Sequence, residues 1–105
     1  MTLVVPLRGQ VFRADLGFGA KPWLVVSNNA RNRNLETVVA VRITTTSRHA
    51  NLPTVVPLSS GDPLTGFVVV DDLVQLYRDE MTTALGALSP ATMRAISEAL
   101  RIALP

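Results

Sequence analysis

The sequence predicts a mainly β (α+β) fold, a small barrel of short strands finished by one C-terminal helix. Three observations predict it. Short apolar runs, alternating or continuous, recur between Gln10 and Tyr77. Clusters of glycine, proline, serine and asparagine separate them, and helical spacing sets in only after Ser89. Short strands ending in a single helix suit a compact barrel better than a parallel sheet with crossover helices.

In chain order, Gln10 to Leu16 alternates, with Val11, Arg13 and Asp15 on one face and Phe12, Ala14 and Leu16 on the other. Gly17-Phe18-Gly19-Ala20 is a turn, and Lys21-Pro22 leads into Trp23 to Ser27, a strand apolar enough to be covered on both faces. Asn28 to Asn34 reads as a polar loop whose asparagines bond the backbone and tolerate left-handed conformations. Thr37 to Thr46 is a third strand, with Val39, Val41 and Ile43 on one face and Ala40, Arg42 and Thr44 on the other. Thr54 to Leu58, Gly66 to Val70 and Leu73 to Tyr77 complete six strands, the first two of these separated by the turn formers Ser59 to Pro63. Ser89-Pro90 pairs an N-cap with proline at the first helical position, and Met93, Ile96, Leu100 and Ala103 follow at helical spacing.

A chain of 105 residues is expected to form a single domain spanning residues 1 to 105. Its 48% hydrophobic and 17% charged content separates it from disordered sequences. No apolar run approaches the roughly 20 residues of a membrane helix, and Met1 to Pro6 lack the charged lead of a signal peptide, so the expected location is cytoplasmic. Without cysteine there is no disulfide or thiolate chemistry, and a lone histidine with scattered carboxylates offers no metal spacing, so no cofactor is implied. The net charge of +2 is unevenly spread. Residues 8 to 49 hold seven basic side chains against two acidic, a net +5, whereas residues 50 to 105 hold three against six, a net −3. An arginine-rich half suits a polyanion, because guanidinium matches phosphate oxygens in pairs.

Three segments, in this order, resemble the MazF/PemK toxin family across nearly the whole chain. They are Arg8-Gly9-Gln10-Val11-Phe12-Arg13-Ala14-Asp15, then Lys21-Pro22-Trp23-Leu24-Val25-Val26-Ser27-Asn28-Asn29, then Val38 to Thr46, with Leu88-Ser89-Pro90 and a helix closing the chain. The resemblance implies an SH3-like β-barrel with a C-terminal α-helix. It also implies the toxin of a type II toxin–antitoxin system, a sequence-specific, metal-independent endoribonuclease. In single-stranded RNA the ribose 2′-hydroxyl would attack the adjacent phosphorus, leaving a 2′,3′-cyclic phosphate and a 5′-hydroxyl. The family's catalytic arginine before proline and threonine at the end of the third strand fall on Lys21 and Thr44.

Lysine in place of arginine is a departure: a point charge cannot make the guanidinium fork, but it becomes a usable proton carrier when desolvated or placed beside another cation. Arg42, on the same strand face as Thr44, is the candidate auxiliary cation. Candidate RNA-binding residues are Arg13, Phe18, Arg31, Arg33, Arg42, Arg48 and His49. Trp23 reads as core or dimer interface, Thr45 and Thr46 as ordinary strand residues, and Asp71 and Asp72 as strand-end solvation. The implied partners are a second copy of the chain, in a homodimer, and a MazE-like antitoxin whose acidic tail covers the RNA groove. The rival readings are a gyrase-poisoning toxin on the related barrel and a non-catalytic RNA-binding barrel.

Overall fold

The computed structural model describes residues 5–46 and 48–104; Met1 to Val4, at the chain start read above, lie outside the described residues. In chain order come β1 (Gln10–Asp15), β2 (Ala20–Val25), α1 (Asn29–Asn34), β3 (Thr37–Thr44), β4 (Val55–Pro57), β5 (Phe67–Tyr77), a 3-10 turn (Arg78–Glu80), β6 (Met81–Ala87) and α2 (Pro90–Ala103). The strands form one antiparallel sheet in the order β4-β5-β3-β2-β1-β6. Among the described residues no helix is long and apolar enough to cross a membrane.

The alternation expected in β1 and β3 is observed, and it divides the interior in two. Val11, Leu24, Val41, Ile43 and Val68 pack in a cluster with Ile96 and Ala99 of α2. Their strand neighbours Ala14, Trp23, Val25, Val38 and Ala40 pack with Leu76 on the opposite sheet face. Period two alone produces this division, because adjacent residues of a strand point to opposite sides. Helix α2 begins where expected: Ser89 caps it by accepting from Thr92 N at 3.2 Å, with Pro90 at the first position.

β4 and β6 are the ladder's edges, and the loop after β4 reaches both β6 and the start of α2. Asp62, in the loop after β4, accepts from Ser59 N, Ser59 Oγ, Ser89 N and Thr92 Oγ1 at 2.7 to 2.9 Å. A Cβ at Gly86 of β6 would stand 3.0 Å from Pro63 in the same loop. This clasp docks the start of α2 on the loop after β4, and the six-stranded antiparallel sheet with its C-terminal helix is the mainly β fold expected.

Four expectations are corrected. Asn28 to Asn34 is not an irregular loop, and among the described residues none but glycine has positive φ. It is the short helix α1, capped by Asn28, which accepts from Arg31 N. Buried Asn32 ties α1 to the sheet, accepting from Ser27 Oγ at 2.6 Å and donating to Ser27 O at 3.0 Å. β2 starts at Ala20 and so contains Pro22, which pairs with Arg13 of β1 but lies beyond the first β2–β3 pair, Trp23↔Arg42. Its missing N–H therefore costs no ladder bond. The expected strands Gly66–Val70 and Leu73–Tyr77 are one strand, β5, with a bulge: Arg42 pairs with Val69 and Val41 with Leu73, leaving Val70, Asp71 and Asp72 without a β3 partner. Finally, β6 was not expected at all; its residues are almost all exposed or half-buried, so it carries little apolar periodicity.

The end of β3 rests on Gly66. Its φ is +126°, and a Cβ there would collide with the Thr44 carbonyl oxygen. Gly66→Ala is expected to destabilise the protein by more than about 1 kcal/mol, measured by urea denaturation; an unchanged midpoint would show that the backbone yields freely at this point. Burial opposes the charge on Asp62, but its four hydrogen bonds outweigh that and hold its carboxyl well below the usual carboxylate range. The ionised clasp thus stabilises the fold fully above the ordinary carboxylate pKa of about 4, and its contribution is lost as pH falls below that value. Asp62→Asn is expected to cost roughly 1.5–3 kcal/mol at neutral pH and to flatten the loss of stability between pH 5 and pH 2. Identical pH dependence in wild type and variant would contradict this.

Candidate RNA-cleaving groove

The β2–β3 register assembles the site. Trp23 pairs with Arg42, and the same antiparallel count carried two residues further brings Lys21 opposite Thr44. Lys21 also pairs with Ala14 of β1. Lys21, Arg42 and Thr44 therefore share one sheet face, and they line a single cavity of about 670 Å³ together with Phe18, Pro22, Trp23 and Thr65. Lys21 is exposed, while Arg42 and Thr44 are half-buried. Thr44 Oγ1 accepts from Thr46 N at 3.1 Å, which orients the hydroxyl and leaves its proton available to a ligand. Phe18 is 88% exposed, on a loop held by Asp15, whose Oδ1 accepts from Gly17 N at 2.8 Å and Gly19 N at 3.1 Å.

A second cavity, of about 370 Å³, continues the first. It is lined by Arg42, Thr44, Thr46, Arg48, His49, Val55 and Val69, so the two share Arg42 and Thr44. Among the described residues the joint groove is lined by Lys21, Arg42, Arg48 and His49, and by no carboxylate. Such a lining favours an anion along its length, with the Thr44 hydroxyl at the centre. Trp23, expected in a core or an interface, is a core residue that also forms groove wall; its Nε1 is buried without a hydrogen-bond partner.

Six of the nine candidate side chains line the joint groove and three do not. Arg48 and His49 join Arg42 and Thr44 in the second cavity, but Arg13, Arg31 and Arg33 lie away from both cavities. Arg13 is on the opposite face of β1 from Ala14, the residue that pairs with Lys21. Arg31 and Arg33 are on α1, which follows the far end of β2 from Lys21. Arg31 is engaged there: Nη1 donates to Thr37 O at 2.8 Å and Nη2 to Thr37 Oγ1 at 3.3 Å. It is a structural tie between α1 and β3. The residue that sequence reasoning passed over is Asp72, taken as strand-end solvation, which accepts from Arg42 Nε at 2.7 Å. Only the β5 bulge brings it there, and no local periodicity announces that bulge.

Residues 7–104 match the model of the PemK-like, MazF-like toxin of type II toxin–antitoxin system. The chain is 58% identical over 99 residues to Endoribonuclease MazF4 of Mycobacterium tuberculosis and to Endoribonuclease MazF1 of Mycobacterium bovis, covering 94% of this chain and 92% of each relative. It is also similar to the solved structure of an endoribonuclease in complex with its cognate antitoxin from a mycobacterial species, at 57% identity and a TM-score of 0.90, covering 95% of this chain and 97% of that one. With a matched model spanning nearly all of its length and relatives this similar, the chain belongs to the PemK-like, MazF-like toxin family of type II toxin–antitoxin systems.

Proposed function

We propose that the chain is the endoribonuclease toxin of its toxin–antitoxin pair, cutting single-stranded RNA in the groove centred on Lys21, Arg42 and Thr44. The observation that carries this is the shared cavity wall, where two cations and an oriented hydroxyl converge on one sheet face. The names of the 58% identical relatives support the same activity.

In the proposed reaction the ribose 2′-oxygen attacks the adjacent phosphorus as the bond to the 5′-oxygen breaks. The products are a 2′,3′-cyclic phosphate and a 5′-hydroxyl, the proton lost by the 2′-hydroxyl being balanced by the one gained by the leaving oxygen. Negative charge builds on the non-bridging oxygens, and preorganised donors aimed at them lower the barrier. Lys21 serves as an electrostatic clamp on one such oxygen, the Thr44 hydroxyl donates a hydrogen bond to another, and Arg42 holds phosphate by its fork. The geometry of attack, in line with the leaving oxygen, is supplied by the groove holding successive phosphates. Arg48 and His49 extend the contact along the strand, and Phe18 offers an exposed ring for a base to stack on.

Antitoxin silencing follows from the same charge pattern. An acidic, partly disordered tail laid along the cationic groove competes with RNA for the same side chains. The antitoxin-bound relative supports this part of the reading. Two copies of the chain, in a symmetric homodimer, would set two such grooves about one axis.

Purified protein incubated with a long single-stranded RNA in EDTA is expected to produce discrete cuts with 5′-hydroxyl ends. Lys21→Ala and Thr44→Ala are each expected to lower kcat by at least about 100-fold with thermal melting preserved. RNA left intact by the wild type, or cut equally well by both variants, would overturn the assignment.

A further inference from the structure

We propose that Asp72 is a positioning residue for RNA cleavage, fixing Arg42 so that the terminal nitrogens of its guanidinium face the phosphate. The inference rests on the reading of the groove as an RNA site. Among the described residues Arg42 is the one cation that lines both cavities, and so occupies their junction. Its Nε donates to Asp72 Oδ2 at 2.7 Å. Both partners are about half exposed, with side-chain exposures of 42% and 45%. A pair so solvated contributes little to stability. Its consequence is orientational: with Nε–H committed to Asp72, the four N–H bonds on Nη1 and Nη2 remain for a ligand, in the geometry that grips a phosphate.

The backbone is arranged for this contact. The bulge of β5 places Val70, Asp71 and Asp72 opposite the step from Val41 to Arg42. Within it the two adjacent carboxylates go separate ways: Asp71 accepts from Thr54 Oγ1, on the β4 side, and Asp72 accepts from Arg42, on β3. Bulges commonly re-aim a side chain beside a site, and here the re-aimed group is the Arg42 partner. A carboxylate in this place also offsets part of the positive charge that attracts RNA. Removing it should therefore leave RNA binding no weaker while loosening the guanidinium, which separates its effect on KM from its effect on kcat.

The test is a double-mutant cycle on full-length protein, with Asp72→Ala, Arg42→Ala and the double variant assayed on one single-stranded RNA beside wild type and Thr44→Ala. Asp72→Ala is expected to lower kcat on the order of tenfold or more, with KM not raised and the melting temperature unchanged. In the Arg42→Ala background the same substitution should change kcat less than about twofold, because coupled residues are not additive. Wild-type kcat in Asp72→Ala, its full loss persisting without Arg42, a raised KM with kcat intact, or wild-type cutting by Arg42→Ala would each overturn the proposal. Should Thr44→Ala also cut like wild type, the RNA groove itself falls and the positioning role with it. A dead Thr44→Ala beside a fully active Asp72→Ala removes the role of Asp72 alone.

Discussion

Three ladder pairs, Trp23↔Arg42, Leu24↔Val41 and Val25↔Ala40, set everything that follows in this molecule. They decide which side chains of β2 and β3 face α2 and which face the opposite cluster. A slip of one residue would exchange the two sets entirely. Leu24, Val25, Ala40 and Val41 are all fully buried, and burying each larger side chain contributes on the order of 1.5–3 kcal/mol, so the core holds the register firmly. Lys21, Arg42 and Thr44 contribute little to that core, yet their common face is a consequence of it. The groove is thus aligned by apolar residues of the core.

The rest of the architecture protects that alignment. Asp62 gathers the loop after β4 onto the first turn of α2, which in turn covers the cluster containing Leu24 and Val41. At the far end of β2, Ser27, Asn32, Arg31 and Thr37 form a polar tie between α1 and β3. Cations that look equivalent in the sequence are therefore separated by the fold: Arg31 is engaged in holding the hairpin, whereas Arg42 and Arg48 face the groove. The basic half of the chain is partly a structural device and partly the lining of a groove.

What was readable in the sequence follows the physics of each signal. The alternation in β1 and β3 reports burial on one side at a time, and it correctly placed Arg42 with Thr44 and foretold the capped helix after Ser89. α1 escaped notice because asparagine is a poor helix former; tertiary bonds through Asn32 and Arg31 hold the helix, and these involve residues the local pattern does not contain. β6 carries mostly exposed side chains and is defined by its pairing with β1. The bulge in β5 is invisible because Asp71-Asp72 reads as a break between two strands, when it is an excursion within one. For the candidate site, motif order singled out Lys21 and Thr44, which the fold places on one cavity wall, but charge alone could not distinguish Arg31, tied to Thr37, from Arg48 in the groove, and the Asp72 contact with Arg42 required the register itself.

The central claim is that RNA lies across the face shared by Lys21, Arg42 and Thr44. Its most direct test is a crystal structure with a short single-stranded RNA carrying a 2′-deoxy nucleotide at the cleavage position, which binds but cannot react. The account predicts the scissile phosphate within hydrogen-bond distance of Thr44 Oγ1 and the Arg42 guanidinium, with Lys21 Nζ turned toward the same group and the strand continuing past Arg48. RNA bound instead along Arg31 and Arg33 on α1, with the groove open, would contradict it.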